Sequence, residues 1–226
     1  MRAVLTRLVA DNTLVAIALF GSAGTLSWWR AWVLLAALIV IRAISAIAVY
    51  RVNPDLLQER AKLPIHGDQP WTDKLLLLAV VTTGFVGVPV VAGLDVFHGR
   101  LLPPPPPMLA GLGLVLFALG WGIKALALRA NAFATAVLRL QRERRHAVVD
   151  TGVYRIVRHP FYAGTPLVLV GLALWLESYT AALSAIVPIV LVVLRMRLEE
   201  RYLRRELPGY TEYTGRVPHR LLPGIW

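Results

Sequence analysis

Apolar residues in this chain come in long uninterrupted runs, not in the alternation of a half-buried strand or the one-sided stripe of a soluble helix. A helix needs about 20 apolar residues to cross a bilayer core. Runs near that length occupy residues 13–29, 31–50, 75–97 and 108–128. A further run covers residues 162–194 and is broken at Leu176-Glu177-Ser178-Tyr179. It is too long for one crossing and slightly short for two ordinary ones. The pattern therefore predicts a tight hairpin of two short helices with Glu177 and Ser178 at its tip. The expected fold is all-α, a polytopic transmembrane helical bundle of about six spans in one structural domain. Residues 1–107 would supply the N-terminal spans and loops, and residues 108–226 the remaining spans, a polar loop and a tail.

Composition strengthens this picture. The 226 residues are 57% hydrophobic and 16% charged, with a mean hydropathy of +0.62. Soluble domains carry about 25% charged residues, and disorder needs low hydrophobicity. Disorder is excluded, and a purely soluble globular chain fits poorly. The absence of cysteine rules out disulfides, thiolate nucleophiles and Cys-ligated metals. Arg2 and Arg7 give the start the basic flank of a signal peptide, but the runs that follow predict an uncleaved first span.

The net charge of +11 acquires meaning only when it is placed along the chain. With the N-terminus inside, 20 of the 24 Lys and Arg fall on inner segments and only Arg30 and Arg100 on outer ones. That asymmetry supports the hairpin and predicts cytosolic termini for a multi-pass protein. Nucleic-acid binding is not expected, because the basic residues follow topology and no readout motif accompanies them. The proline run at residues 103–107 predicts a stiff outer spacer. No internal repeat, Gly-rich phosphate loop or metal-ligand cluster is present in the sequence.

Two basic residues lie within spans, where ionisable groups are functional candidates by default. Lys124 sits roughly 6 Å from the inner end of its run and is expected to snorkel. Arg42 sits roughly 12 Å deep and is expected to pair with a buried polar group.

The outer face carries little chemistry, whereas the inner face carries two dense polar blocks. The first runs from Gln141 to Gly164, and the second starts at Arg195. The hairpin between them would return both to the same membrane face. In the first block, Pro160 suits the opening turn of a helix, with His159 at its cap and Tyr162 one turn inside. The free N–H groups of such an end, with Arg158 beside them, favour a carboxylate. An ordinary juxtamembrane cap explains the same residues equally well. In the second block, Arg195 and Glu199 share a helix face at four-residue spacing, which an exposed ion pair also explains.

As an ordered set, Gly152-Val153-Tyr154, Arg158-His159-Pro160-x-Tyr162-x-Gly164, the hairpin and Arg195-x-x-x-Glu199-Glu200 resemble the isoprenylcysteine carboxyl methyltransferases, grouped with the phospholipid N-methyltransferases. Tyr210, Tyr213 and Val217-Pro218 resemble that family's tail. The resemblance covers roughly residues 109–226, and the segment from Asn53-Pro54 to Lys74 is similar to the opening segment of short bacterial relatives. The resemblance implies S-adenosyl-L-methionine as cofactor at the cytosolic end of the hairpin. It implies Gln141, His146, Ala147, Val148, Val149, Tyr154, Arg158, His159, Pro160, Phe161, Tyr162, Glu199 and Glu200 as cofactor-binding residues. Arg195 would hold the substrate, and Arg195 and Glu199 would be catalytic. Gln141 lies closer to His146 than the family's glutamine does, and Glu206-Leu207-Pro208-Gly209 departs from the family's usual turn.

The implied partners are membrane lipids and a lipophilic or prenyl-type acceptor, with no metal and no nucleic acid. Methyl transfer to a carboxylate needs no general base at pH 7, whereas a lipid ammonium must first lose a proton. Arg195 suits the carboxylate version. A sterol-reductase-like NADPH enzyme, with Arg142, Arg144 and Arg145 on a 2′-phosphate, and a non-catalytic membrane scaffold are the competing readings. The short, cysteine-free, Arg-rich chain suggests a bacterial cell membrane.

Overall fold

A computed structural model describes residues 2–62 and 69–226. The part of the opening segment at residues 63–68 lies outside the described residues. The chain forms α1 (Arg2–Ala23), α2 (Trp29–Tyr50), α3 (Pro54–Ala61), α4 (Trp71–Val81), α5 (Val88–Phe97), α6 (Pro107–Ala130), α7 (Pro160–Trp175), α8 (Tyr179–Ser184), α9 (Ile186–Glu206) and α10 (Tyr210–Arg216). Among the described residues there is no strand, and five helical stretches are long and apolar enough to cross a membrane. The expected all-α polytopic bundle is what the chain forms.

The first span differs from the expectation of residues 13–29. Asp11 is paired with Arg7 at 3.0 Å and with Arg42 of α2 at 2.6 Å, so the polar start of α1 is compensated and helical. Gly24 then ends α1 at φ +68, a conformation that suits glycine, and its N–H closes on the Phe20 carbonyl. Arg42 thus pairs with a polar group as expected, although Asp11 is half-buried rather than buried.

α4 and α5 form one continuous stretch joined by a π-helical turn, Thr82–Gly87. Pro89, in the first turn of α5, has no N–H to give the ladder, and a wider turn re-registers the bonds around it. The expected start at residue 75 is corrected to Trp71, which brings Asp73 into the helix with a fully buried side chain.

α6 and α7 pack backbone to backbone. A Cβ at Gly120 would stand 2.7 Å from the Gly164 carbonyl oxygen, and one at Gly171 would stand 2.5 Å from the Phe117 nitrogen. Small residues on both helices make this approach possible. Lys124 sits in the same seam, where it donates to Thr165 Oγ1 at 2.7 Å and to the Phe161 carbonyl at 3.1 Å. It is buried, so the snorkelling expectation is corrected: α7 supplies the acceptors that water would have supplied.

The hairpin exists, with Glu177 at φ +61 in its tip, but its legs are unequal. Ser178 caps α8 by accepting from the Ala181 N–H at 2.9 Å. The chain then continues into the 21-residue α9, whose charged half packs on loops and tail. The tip is tied down by Arg30, which meets Glu177 at 2.9 Å and lies against the Trp29 and Trp175 rings. Asp95 accepts from Ser178 and Thr180, both at 2.7 Å. The polar loops at the opposite end are free to build a site.

Candidate active site

At that opposite end the α6–α7 connection folds back over the start of α7 and the charged half of α9. A cavity of about 830 Å³, counted to its open mouth, lies between them. Of the residues expected from the sequence, His146, Ala147, Val148, Val149, Tyr154, Arg158, His159, Phe161, Tyr162 and Glu199 line it. The structure places Gln141, Pro160, Arg195 and Glu200 behind this wall.

Tyr162 holds the centre. Its hydroxyl accepts from Arg195 Nη1 at 2.7 Å and donates to Glu199 Oε2 at 2.6 Å. Arg195 and Glu199 are therefore joined through one oxygen on α7 rather than as an exposed pair. Arg195 turns its fork to Asp73: Nε reaches Oδ1 at 2.8 Å and Nη2 reaches Oδ2 at 3.4 Å. Nη2 also donates to the Ala136 carbonyl at 2.7 Å. Asp73 Oδ2 accepts from the Leu138 N–H at 3.1 Å, so one buried carboxylate fixes both Arg195 and the adjoining wall segment.

Glu200 faces away from the cavity and gathers arginines. Arg158 meets it at 2.8 Å, Arg220 at 2.7 Å and Arg204 at 3.3 Å. Arg158 also donates to the Val217 carbonyl. Its backbone N–H and that of His159 donate to the His219 and Arg220 carbonyls. The tail thus pairs the two N–H groups just ahead of α7, and Glu200 neutralises Arg158, so Arg158 adds no free charge to the helix end. Gln141 is a buried strut, accepting from Arg144 at 2.6 Å and donating to the Phe133 carbonyl at 2.8 Å.

Burial sets the protonation of the wall. It holds the His159 imidazole below its usual range, against the pull of Glu199 and Glu200. Burial and then Arg144 lower His146 to about 4. Both rings are neutral at pH 7. Burial also pushes the Tyr154 and Tyr210 phenols upward, so they remain hydroxyls. Phe133 stacks on His146 with centroids 4.4 Å apart. His159 Nε2 and the Tyr210 hydroxyl are buried with no partner among the described residues, so both are available to a ligand in the cavity they line. Among the described residues, no group of three or more acidic or imidazole side chains could hold a metal ion.

Sequence reasoning missed Asp73 and Arg60, and it left Tyr210 outside the site residues. Asp73 had a signal, an acid in the first turn of an apolar span. Arg60 had none, since α3 comes from a segment otherwise read as a connection.

Comparison with known proteins agrees with the resemblance read from the sequence. Residues 109–208 match the phospholipid methyltransferase family. A stretch of 113 residues, 49% of this chain, is 33% identical to Protein-S-isoprenylcysteine O-methyltransferase B of Arabidopsis thaliana. The match spans 57% of that relative's length. The matched region contains α6, α7, α9 and the loop between them, which supply most of the cavity wall.

Proposed function

Taking residues 109–208 as those of a member of the phospholipid methyltransferase family, we propose that this protein is an integral-membrane methyltransferase that uses S-adenosyl-L-methionine on a lipophilic acceptor. The convergence of neutral His146 and His159, the Tyr162–Glu199 pair and the orphaned Tyr210 hydroxyl on one cavity carries the reading. The cofactor would supply a methyl carbon already activated by its sulfonium.

The residues' work is binding and positioning. Neutral imidazoles do not repel a sulfonium, Glu199 offers it a counter-charge, and the face of Tyr154 attracts cations. His159 Nε2 and Tyr210 offer polar contacts to an adenosyl or aminoacyl group. A displacement on activated carbon gains chiefly from orientation and exclusion of water, which this buried wall provides. Arg195 and Glu199 act as a pair through Tyr162, with Arg195 holding the hydroxyl that orients the Glu199 carboxylate.

O-methylation of a carboxylate is the primary reading, in line with the activity in the name of the Arabidopsis relative. Methylation of a lipid amine is the second. Its support is Glu199, which faces the cavity and would accept the proton that an ammonium must lose.

Titration calorimetry of the detergent-purified protein with S-adenosylhomocysteine and with NADPH tests the cofactor. Binding of the first alone is expected, and binding of NADPH alone would favour the reductase reading. For the acceptor, methyl label transferred to membrane lipids is treated with base. Release as methanol marks an ester, and retention marks an amine. Cytosolic termini belong to the same proposal, because they put the cavity where the polar cofactor is found.

A further inference from the structure

Three arginines stand in the cavity wall: Arg60, Arg139 and Arg158. Arg139 meets Glu143 at 2.7 Å and Glu59 at 3.5 Å, and Arg158 meets Glu200 at 2.8 Å. Arg195, behind the wall, has Asp73. Arg60 has no carboxylate within ion-pair distance among the described residues.

Arg60 is nonetheless held in place. Nη1 donates to the Ala134 carbonyl at 2.7 Å, and the guanidinium lies 4.9 Å from the Phe161 ring centroid. Lys124 Nζ lies 4.0 Å from the same centroid. One N–H and one flat face are thus engaged. The other N–H groups have no protein acceptor among the described residues. Burial lowers Arg60 to about 10, partly offset by Tyr162 and Tyr154, and Arg195 adds repulsion. The group stays charged at pH 7 in surroundings that disfavour its charge. Arg60 is half-buried in the cavity wall, and a partly desolvated cation without a counter-ion is stabilised by an anionic ligand.

We infer that Arg60 is the anion-binding residue of this cavity and receives a carboxylate of the bound ligand. The inference rests on the methyltransferase reading and adds to it a residue from outside the matched region of 109–208. A planar guanidinium with adjacent free N–H groups fits a carboxylate two-pronged, the grip that Arg195 already gives to Asp73. The carboxylate has two possible sources, the aminoacyl end of the cofactor and the head of a lipid acid.

Calorimetry with two nucleosides distinguishes them. S-adenosylhomocysteine carries the carboxylate, whereas 5′-methylthioadenosine lacks the whole aminoacyl end. If the cofactor is the source, Arg60→Gln weakens S-adenosylhomocysteine about ten- to a hundredfold, the worth of a charged hydrogen bond, and leaves methylthioadenosine unchanged. If the acceptor is the source, Arg60→Gln binds both nucleosides normally but raises KM for N-acetyl-S-farnesylcysteine by a similar factor with kcat retained. Arg60→Lys recovers part of either loss and controls for folding. Equal weakening of both nucleosides in both variants would assign Arg60 to packing and overturn the inference. So would wild-type behaviour of Arg60→Gln in both assays. A wild-type protein that binds neither nucleoside would instead sink the methyltransferase reading itself, and this inference with it.

Discussion

The Tyr162 hydroxyl stands between Arg195 and Glu199, accepting at 2.7 Å and donating at 2.6 Å. It keeps two opposite charges one turn apart on α9 from closing on each other. Removing it in Tyr162→Phe leaves an Arg195 N–H and a Glu199 oxygen without this partner. Hydrogen bonds to charged groups are worth about 1.5–3 kcal/mol, so a loss of that order is expected in thermal unfolding in detergent. Glu199 would also turn toward Arg195 and away from the cavity, weakening S-adenosylhomocysteine. A variant with unchanged melting and unchanged affinity would show that the bridge has no such role.

Asp73 is the second key residue. Its fully buried side chain carries the counter-charge of Arg195 and the acceptor for Leu138. Removing one partner of a buried pair costs about 3–5 kcal/mol, because the other is left uncompensated. Asp73→Asn should be destabilised by that order. The double variant Asp73→Asn/Arg195→Gln should lose less than the sum of the two single variants. Strict additivity in chemical unfolding would mean that the two residues act independently.

The helices and their rough limits were legible because apolar run length is a direct consequence of the bilayer. The first span was misplaced because hydropathy counts Arg7 and Asp11 as polar, whereas in the fold they pair with each other and Asp11 with Arg42. Ten residues of the cavity wall were legible through the resemblance, nine of them between His146 and Tyr162. The partition of charge was not. The resemblance implied Arg195 as the substrate-holding residue and Glu200 as a cofactor-binding neighbour of Glu199. Tertiary contacts instead commit Arg195 to Asp73, 122 residues away, and Glu200 to the tail. Ion pairs of that separation leave no local periodicity to read.

Acid should weaken the fold through the buried imidazoles. His146 falls to about 4 and His159 is also lowered, against an unfolded value of about 6.5. Below that value the unfolded chain binds protons that the native rings do not, so stability rises with pH across the window. The contribution is complete above about pH 6.5 and is lost on going down toward about 4. The melting temperature should fall between pH 7 and pH 5, and His146→Gln should flatten part of that slope. An identical slope in the variant would count against a neutral, buried His146.

Topology can be read cleanly because the chain has no cysteine. In intact cells, Pro104→Cys should react with a membrane-impermeant maleimide and Glu212→Cys should not. The reverse pattern would put the cavity outside and remove the cofactor's route to it.

Calorimetric titration of S-adenosylhomocysteine into the wild-type protein, Glu199→Ala and His159→Ala bears most directly on the central claim. The wild type is expected to bind, and each variant to bind at least tenfold more weakly while melting as a folded protein, from the loss of one charged or buried polar contact of about 1.5–3 kcal/mol. A folded wild type that takes up no S-adenosylhomocysteine, or variants that bind as tightly as the wild type, would contradict the assignment of this cavity as the cofactor site.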